Sequence, residues 1–274
     1  MPIYTLTSAS GSPGVTTSAL ALALGWPRPV TLVEADPTGG SSILAGFLKG
    51  TVDHPGLLQL MVAHRQGQLA PTLPSVLLPL EGSPAKLLAG TRSHDQALGV
   101  DGLWTPLLAV LRDLVATTGQ DVMVDAGRLG LDGCPLPLIT GGDVTALVVG
   151  SSLPEVAAAR SWATSLHERA AGALGVLVVG EGRPYSAKEV ANALGLDLLG
   201  VVPFDPAHAA VYSRGADHPE AKGIARWARP GSPAERHARS AFARALTAVA
   251  ETLRTRAGEQ TGAAMVEQDE ERVR

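Results

Sequence analysis

The chain has 274 residues, of which 45% are hydrophobic and 18% charged, and its net charge is −4. This composition excludes an intrinsically disordered chain, and the negative net charge excludes a general attraction to nucleic acid or acidic lipid. The single cysteine, Cys134, excludes an intrachain disulfide and favours a cytoplasmic location.

Short apolar runs alternate along the chain with segments of helical periodicity. The runs predict strands at 3–8, 30–34, 75–80, 121–125, 144–150, 174–180 and 197–202. The segments between them predict helices at 15–25, 55–66, 101–117, 153–171, 186–194 and 233–256. Uninterrupted apolar strands such as 144–150 are typical of sheets covered on both faces. We therefore predict a single α/β domain over residues 1–256, a doubly wound and mostly parallel sheet with helices on both faces.

The first predicted strand is followed by a glycine-bearing loop and then by a helix rich in alanine and leucine. In such loops glycines let the backbone curl, N–H groups point inward, and the helix N-terminus adds positive potential, so phosphate is held. The P-loop pattern is G-x-x-x-x-G-K-[ST]. Gly14 and Thr16 occupy its sixth and eighth positions, while Ala9 stands at the first and Val15 at the lysine. The alternative interpretation is an ordinary tight turn.

The same loop resembles the deviant Walker A motif of the MinD/ParA family, roughly K-G-G-x-G-K-T-T. The matching residues are Gly11, Gly14, Thr16 and Thr17. Ser10 and Val15 replace both lysines of the motif, and Pro13 removes a backbone donor. The first lysine of the chain is Lys49, so no shift of the alignment restores one. The resemblance is thus to a degenerate family member, and it is nearest to the TadZ/CpaE-like branch, whose members often have altered P-loops.

Two later segments strengthen this resemblance. Residues 34–40 resemble the family's D-x-D-P-x-G motif, with Glu34 at the first aspartate and Asp36 at the second. The resemblance implies that Asp36 is catalytic and lies near the magnesium and the attacking water. Residues 121–128 resemble the Walker B strand, and Asp125 would reach the magnesium together with Thr16 and Asp36. The alternative interpretation is that each aspartate only caps a turn.

The resemblance also implies a nucleotide site for ATP or ADP with Mg²⁺. Pro203, Phe204 and Asp205 stand where the family's base-contacting loop lies, and Gly180 replaces a polar residue that is frequent in the family. The remaining members of the implied site are the loop residues Gly11, Ser12, Pro13, Gly14, Val15, Thr16 and Thr17.

The missing lysines predict an altered activity. One hydrogen bond to a charged group contributes about 1.5–3 kcal/mol, and phosphoryl transfer depends on fixed positive charge. We therefore expect weakened nucleotide binding and slow or absent ATP turnover, unless an arginine such as Arg128 or Arg183 substitutes. The resemblance implies a dimeric positioning or assembly factor with a protein partner in a secretion, pilus or partitioning machine. The alternatives are an active ATPase for chromosome or plasmid partitioning and a scaffold without ligand.

The C-terminal part of the chain is rich in arginine. Seven arginines against two glutamates within 226–256 give a local charge of +5. The predicted helix buries a stripe at helical spacing that consists of Phe242, Leu246, Val249 and Leu253. Its opposite face is either a solvated surface or a patch for DNA or an acidic partner. Residues 257–274 are predicted to form a disordered acidic tail. We expect no signal peptide and no membrane span, because no basic and then apolar start and no run of about 18 apolar residues occur.

Overall fold

The computed structural model describes residues 2–11, 13–220 and 231–273, with side chains up to Gln260. Its strands are β1 (Ile3–Ser8), β2 (Val30–Glu34), β3 (Leu78–Pro79), β4 (Ala85–Leu88), β5 (Asp121–Arg128), β6 (Val144–Gly150), β7 (Ala173–Val179) and β8 (Asp197–Val202). Within the described residues they form one sheet in the order β3-β4-β2-β5-β1-β6-β7-β8. Every neighbouring pair is parallel except β3 and β4.

Helices connect the strands. They are α1 (Val15–Leu24), α2 (Leu57–Arg65), α3 (Leu69–Thr72), α4 (His94–Gly99), α5 (Trp104–Thr118), α6 (Leu136–Thr140), α7 (Leu153–Arg169), α8 (Ala187–Leu194), α9 (Pro206–Arg214), α10 (Pro233–Ala238) and α11 (Ala241–Val273). A π-helical segment spans Ile43–Phe47, and 3₁₀ turns span Leu73–Val76 and Asp101–Leu103. Within the described part of the chain, no helix is long and apolar enough to cross a membrane.

The sheet has a hydrophobic core on each face, because successive strand residues point to opposite sides. In β5, Val122 and Val124 belong to the core that is covered by α2, α5, α7 and α8. Met123 belongs to the other core, which is covered by α1, the π-helical segment and α11. The predicted architecture, a mostly parallel sheet with helices on both faces, is confirmed.

One predicted strand is much shorter than expected. Within 75–80 only β3 is a strand; it follows the 3₁₀ turn Leu73–Val76 and pairs antiparallel with β4 at the sheet edge. Pro74 starts the 3₁₀ turn and Pro79 lacks the donor that a central strand needs. The parallel strand that pairs with β2 is β4, which the prediction missed because it has four residues and an exposed lysine in its middle.

The predicted C-terminal helix is two helices. Ser240 interrupts it, and its hydroxyl accepts a hydrogen bond from the backbone N–H of Ala243, as an N-cap does. The apolar stripe lies in the core as predicted, with Phe242, Leu246, Val249 and Leu253 all buried. α11 continues as a helix to Val273, where we predicted a disordered tail from residue 257. Ala257 is itself buried in the core, and the glutamate, glutamine and arginine residues after it are compatible with a helix.

A buried polar network lies at the amino ends of the central strands. Asp121, at the start of β5, is fully buried. Its carboxylate accepts a hydrogen bond of 2.7 Å from the indole of Trp26 and one of 2.8 Å from the guanidinium of Arg28. The rings of Trp26 and Tyr4 meet edge to face at 5.0 Å. This network fixes the connection from α1 to β2 at the edge of the sheet opposite to the predicted site.

Candidate functional site

The glycine-bearing loop leaves β1 at the carboxyl edge of the sheet, where parallel sheets bind ligands. Gly14 ends the loop in the left-handed conformation, with φ 95° and ψ 30°, and helix α1 begins at Val15. No side chain of the described residues caps α1, and its first turn contains no acidic residue. The N–H groups at the start of α1 are therefore available to an anion, and the helix dipole favours one there.

A cavity of about 260 Å³ opens beside this helix start. Its wall brings together the two segments that the sequence assigned to the nucleotide: Pro13, Gly14 and Thr17 of the loop and Pro203, Phe204 and Asp205 after β8. The remaining lining residues are Ser18, Gly150, Glu155, Val179, Val202, Pro206, Ala209, Ser213, Arg214 and Phe242. The cavity wall thus combines the backbone and hydroxyl groups of the loop with apolar and charged side chains of the other segments.

Other loop residues lie away from this cavity. Val15, which stands at the lysine position, is 6% exposed and packs in the core beneath α1. Gly11 is exposed with open space where a side chain would be, and the carbonyl of Ser10 accepts a hydrogen bond from the Ser8 hydroxyl. Ser12 lies outside the described residues. The described residues of the loop thus contain no cationic side chain.

Three carboxylates of β2 and β5 gather next to the loop. Burial raises the pKa of Asp125 to about 7; the Thr16 hydroxyl opposes this shift, and Glu34 and Asp36 reinforce it. Asp36 sits above the backbone of Gly127, where φ is 58° and an added side chain would overlap the Asp36 carboxylate. Its Oδ1 accepts hydrogen bonds from the backbone N–H and the hydroxyl of Thr38. The structure thus brings the predicted metal residues Thr16, Asp36 and Asp125 together.

Glu34 has a different environment from the other two acids. It is 3% exposed, and its carboxylate accepts hydrogen bonds from the Ser41 hydroxyl and from the backbone N–H groups of Ile43 and Gly90. Burial raises its pKa despite these donors. Glu34 therefore ties the end of β2 to the segment after β4 and to the π-helical segment, and its carboxylate is already occupied by these donors.

The residues present fit a magnesium ion that is shared with a phosphate. Asp125 is fully buried, and its Oδ2 has no hydrogen-bond partner among the described residues. Mg²⁺ commonly takes one or two carboxylates and completes its shell with water and phosphate oxygens. Within the described part of the chain, no group of three or more His, Cys, Asp or Glu side chains is placed to hold a metal ion without such help. A magnesium ion would therefore need phosphate oxygens or water in addition to Asp125, Thr16 and Asp36.

The loop after β8 presents an aromatic ring at the mouth of the cavity. Phe204 is 59% exposed, and the guanidinium of Arg183 lies 3.8 Å above its ring centroid. Asp205 caps helix α9, because its carboxylate accepts hydrogen bonds from the backbone and the ring of His208. Burial alone would raise the pKa of Asp205, but the hydrogen bonds from His208 outweigh it and lower the pKa. Phe204 is therefore exposed at the cavity mouth with Arg183 stacked on its ring, whereas Asp205 is already engaged in the cap of α9.

Histidines that the sequence patterns did not group lie behind this wall. The ring of His237 is 5.1 Å from that of His208 and 4.7 Å from that of His218, and its Nε2 is 2.9 Å from the Tyr212 hydroxyl. Burial, together with the neighbouring imidazoles of His218 and His208, lowers the pKa of His237 to about 4, and Asp205 opposes this. The neutral ring thus joins α10 to α9 and to the cavity wall.

The lowered pKa of His237 leads us to expect that the free energy of unfolding decreases in acid. The pKa of His237 is lower in the folded than in the unfolded protein, so its stabilising contribution is present above about pH 6.5 and is lost as the pH falls to 4. A tenfold change in proton affinity corresponds to about 1.4 kcal/mol. The free energy of unfolding should therefore fall by on the order of 2–3 kcal/mol over this range. Denaturant unfolding between pH 7 and pH 4 should show a shallower decline for His237→Gln than for the wild type. The variant of the exposed His64, His64→Gln, should follow the wild type; equal declines in all three proteins would rule the histidine out.

Some lining residues were not predicted from the sequence. Helix α9, which contributes Ala209, Ser213 and Arg214, was missed because only nine residues separate Asp205 from Gly215. The signal for it was present: Asp205 is an N-cap residue and Pro206 is a typical first helical residue. Phe242 reaches the cavity from α11, and only the packing of that helix against the sheet reveals this.

Known proteins resemble this chain in structure. No protein-family model matches the sequence, and no curated protein is significantly similar to it. The septum site-determining protein MinD of Pyrococcus horikoshii, solved with Mg-ADP, has a TM-score of 0.70 and 18% identity, over 94% of this chain and 98% of that one. A ParA family ATPase of Chlorobium tepidum has a TM-score of 0.65 and 11% identity, over 91% and 98%. A McdA variant of Cyanothece in complex with ATP has a TM-score of 0.57 and 19% identity, over 76% of this chain and 85% of that one. Over nearly its whole length, the chain therefore has the fold of the MinD and ParA P-loop ATPases.

Proposed function

We propose that this protein is a MinD/ParA-like positioning or assembly factor that binds ATP or ADP with Mg²⁺ and hydrolyses ATP slowly or not at all. The observation that carries the proposal is the cavity in which the uncapped start of α1 and the exposed ring of Phe204 face the same space. The similar MinD and McdA structures contain Mg-ADP and ATP, respectively. Partner proteins are consistent with the family, since a MinD structure is a complex with MinC.

The residues divide the work of binding as follows. The N–H groups that follow Gly14 hold phosphate oxygens, and Phe204 offers a face to the base. Thr16 and Asp125 would hold the magnesium, with Asp36 beside them. When bound, the metal neutralises charge that develops on the phosphates. Asp36, which Thr38 holds in position, orients water next to the terminal phosphate.

Slow turnover follows from what the loop lacks. Val15 is buried in the core and Ser10 is neutral, so neither offers fixed positive charge to the transferring phosphoryl group. Binding depends less on this charge, because backbone donors and a metal remain. We therefore expect the protein to act as a nucleotide-gated dimer rather than as a rapid ATPase.

Calorimetric titration with ATP and ADP, with and without Mg²⁺, tests the binding. Ser213→Trp places an indole in the cavity from an exposed position on α9 and should abolish saturable binding. Ser161→Trp, an exposed serine on α7 outside the cavity, is the matched control and should bind like the wild type. Binding that survives Ser213→Trp would place the nucleotide elsewhere. A rapid, magnesium-dependent turnover that Asp36→Ala abolishes would contradict slow hydrolysis.

A second candidate is an active ATPase that partitions DNA. It is favoured by exposed arginines on α11 and its approach: Arg239, Arg244 and Arg254. Arg256 of the same region is already paired with Asp197 and Glu259. Residues 226–230 of the predicted basic stretch lie outside the described residues. Salt-sensitive DNA binding together with ATP turnover would favour this candidate over the first.

A further inference from the structure

The cavity has one cationic side chain among its described lining residues. Its charged members are Glu155, Asp205 and Arg214. The carboxylate of Glu155 accepts hydrogen bonds from the backbone N–H and the hydroxyl of Ser152, and that of Asp205 is bonded to His208. Both acids are therefore held in helix caps. Arg214 is exposed and forms no ion pair with any other described residue.

The backbone around Arg214 is held firmly at the cavity wall. Arg214 is the last residue of α9, which packs against α1 and the π-helical segment. The Ser213 carbonyl lies so close to Gly46 that any side chain there would overlap it. Gly215 turns the chain with φ 57°, and the side chain of Lys49 lies against it. Packing on both sides thus sets where Arg214 leaves the helix.

Lys49 itself has an unusual backbone. It has φ 53°, the left-handed conformation, and it is the only non-glycine among the described residues with a positive φ. Such a conformation costs free energy in a residue with a side chain, and it persists where the surrounding structure requires it. Here it turns the first lysine of the chain towards the turn that follows Arg214. Lys49 thus lies close to the end of α9, and of the two cations only Arg214 lines the cavity.

The other arginines that could replace the lost lysines lie elsewhere. Arg183 stacks on Phe204 and lines a separate cavity on the outer side of that ring. Arg128 is exposed at the end of β5 and lines neither cavity. We propose that Arg214, with Lys49 behind it, supplies the positive charge that holds the anionic part of the ligand in this cavity. The inference rests on the proposed nucleotide function and assigns the missing lysines' electrostatic role to the opposite wall.

The test compares two helix-terminal arginines. Arg214→Gln removes the charge at the cavity, and Arg169→Gln removes it from the last residue of α7, which precedes β7 at the opposite edge of the sheet. Both substitutions lose the same favourable interaction with a helix C-terminus. Calorimetric titration with ATP, adenosine and pyrophosphate should show ATP and pyrophosphate binding weakened about tenfold to a hundredfold by Arg214→Gln only. Adenosine binding should be unchanged, and Arg214→Lys should recover part of the affinity for ATP.

The outcomes separate this inference from the proposed function. If Arg214→Gln binds ATP and pyrophosphate as Arg169→Gln does, the role of Arg214 is overturned while nucleotide binding stands. If the wild type binds pyrophosphate through Arg214 but no ATP, the nucleotide function is overturned and the cation site stands. If the wild type binds neither probe, both are overturned. Equal thermal midpoints of the two variants exclude unfolding as the cause of a weaker affinity.

Discussion

Replacement of Asp121 by alanine is expected to destabilise the protein by about 3–5 kcal/mol, the cost of breaking a buried charged pair by removing one partner. The substitution removes the acceptor of the indole N–H of Trp26 and one charged partner of the half-buried guanidinium of Arg28. A domain of ordinary stability has about 5–15 kcal/mol in total, so the loss is a large fraction. Chemical denaturation followed by circular dichroism measures it.

The control for Asp121 is another aspartate paired with an arginine. Asp197 lies at the start of β8, is 67% exposed at its side chain and pairs with Arg256 at 2.9 Å. Because solvent screens this pair, Asp197→Ala should cost less than about 1 kcal/mol. If the two alanine variants lose the same stability, the buried network at the amino edge of the sheet does not hold α1 to β5 as we infer.

Asp125→Asn is expected to remove the magnesium-dependent part of ATP binding. The asparagine keeps the volume of the buried side chain but loses the negative oxygen that has no partner. Losing one charged ligand corresponds to about a tenfold to a hundredfold weaker affinity for ATP with Mg²⁺, whereas binding without Mg²⁺ should change little. Titrations in the presence and absence of Mg²⁺ separate the two. The exposed Asp132 offers the control Asp132→Asn, which should bind like the wild type.

The same variant should stabilise the protein when no ligand is present. The pKa of Asp125 in the folded protein is about 7, above its ordinary 3.8. Between pH 4 and pH 7 the folded protein therefore holds a proton that the unfolded protein has lost, and wild-type stability falls as the pH rises. At pH 8 the cost of the ionised side chain reaches up to about 4 kcal/mol, and Asp125→Asn avoids it. A gain that is equal at pH 5 and pH 8, or a magnesium dependence unchanged by the variant, would contradict the role of Asp125.

The sheet could be predicted well from the sequence where its strands are long and apolar. The bounds of β1, β2, β6 and β8 match the prediction, because each is a short run rich in apolar and β-branched residues. β4 was missed because Lys86 lies in its middle and leaves only three apolar residues. At the sheet edge, the prolines at 74 and 79 limit strand formation, so the predicted strand 75–80 starts three residues before β3 does.

The site could be predicted in part, for a similar reason. Parallel strands end at one edge, so the loop after β1 and the loop after β8 were expected to meet, and the cavity brings them together. The wall formed by α9 and α11 could not be predicted, since it depends on how two helices pack across the sheet. The burial of Val15 could not be predicted either. It depends on where α1 begins relative to the core, and the left-handed Gly14 sets that point.

That valine changes the way the loop meets a ligand. A lysine has a long, flexible side chain and gives up about 2 kcal/mol of rotamer freedom when it binds a phosphate. Val15 is ordered before any ligand arrives, because the core already fixes its side chain. The start of α1 is consequently preorganised, because its conformational entropy is lost on folding and not on ligand binding. Under the proposed function, recognition at this end of the cavity relies on the fixed geometry of backbone donors, and the ligand is selected there by shape rather than by a flexible charged side chain.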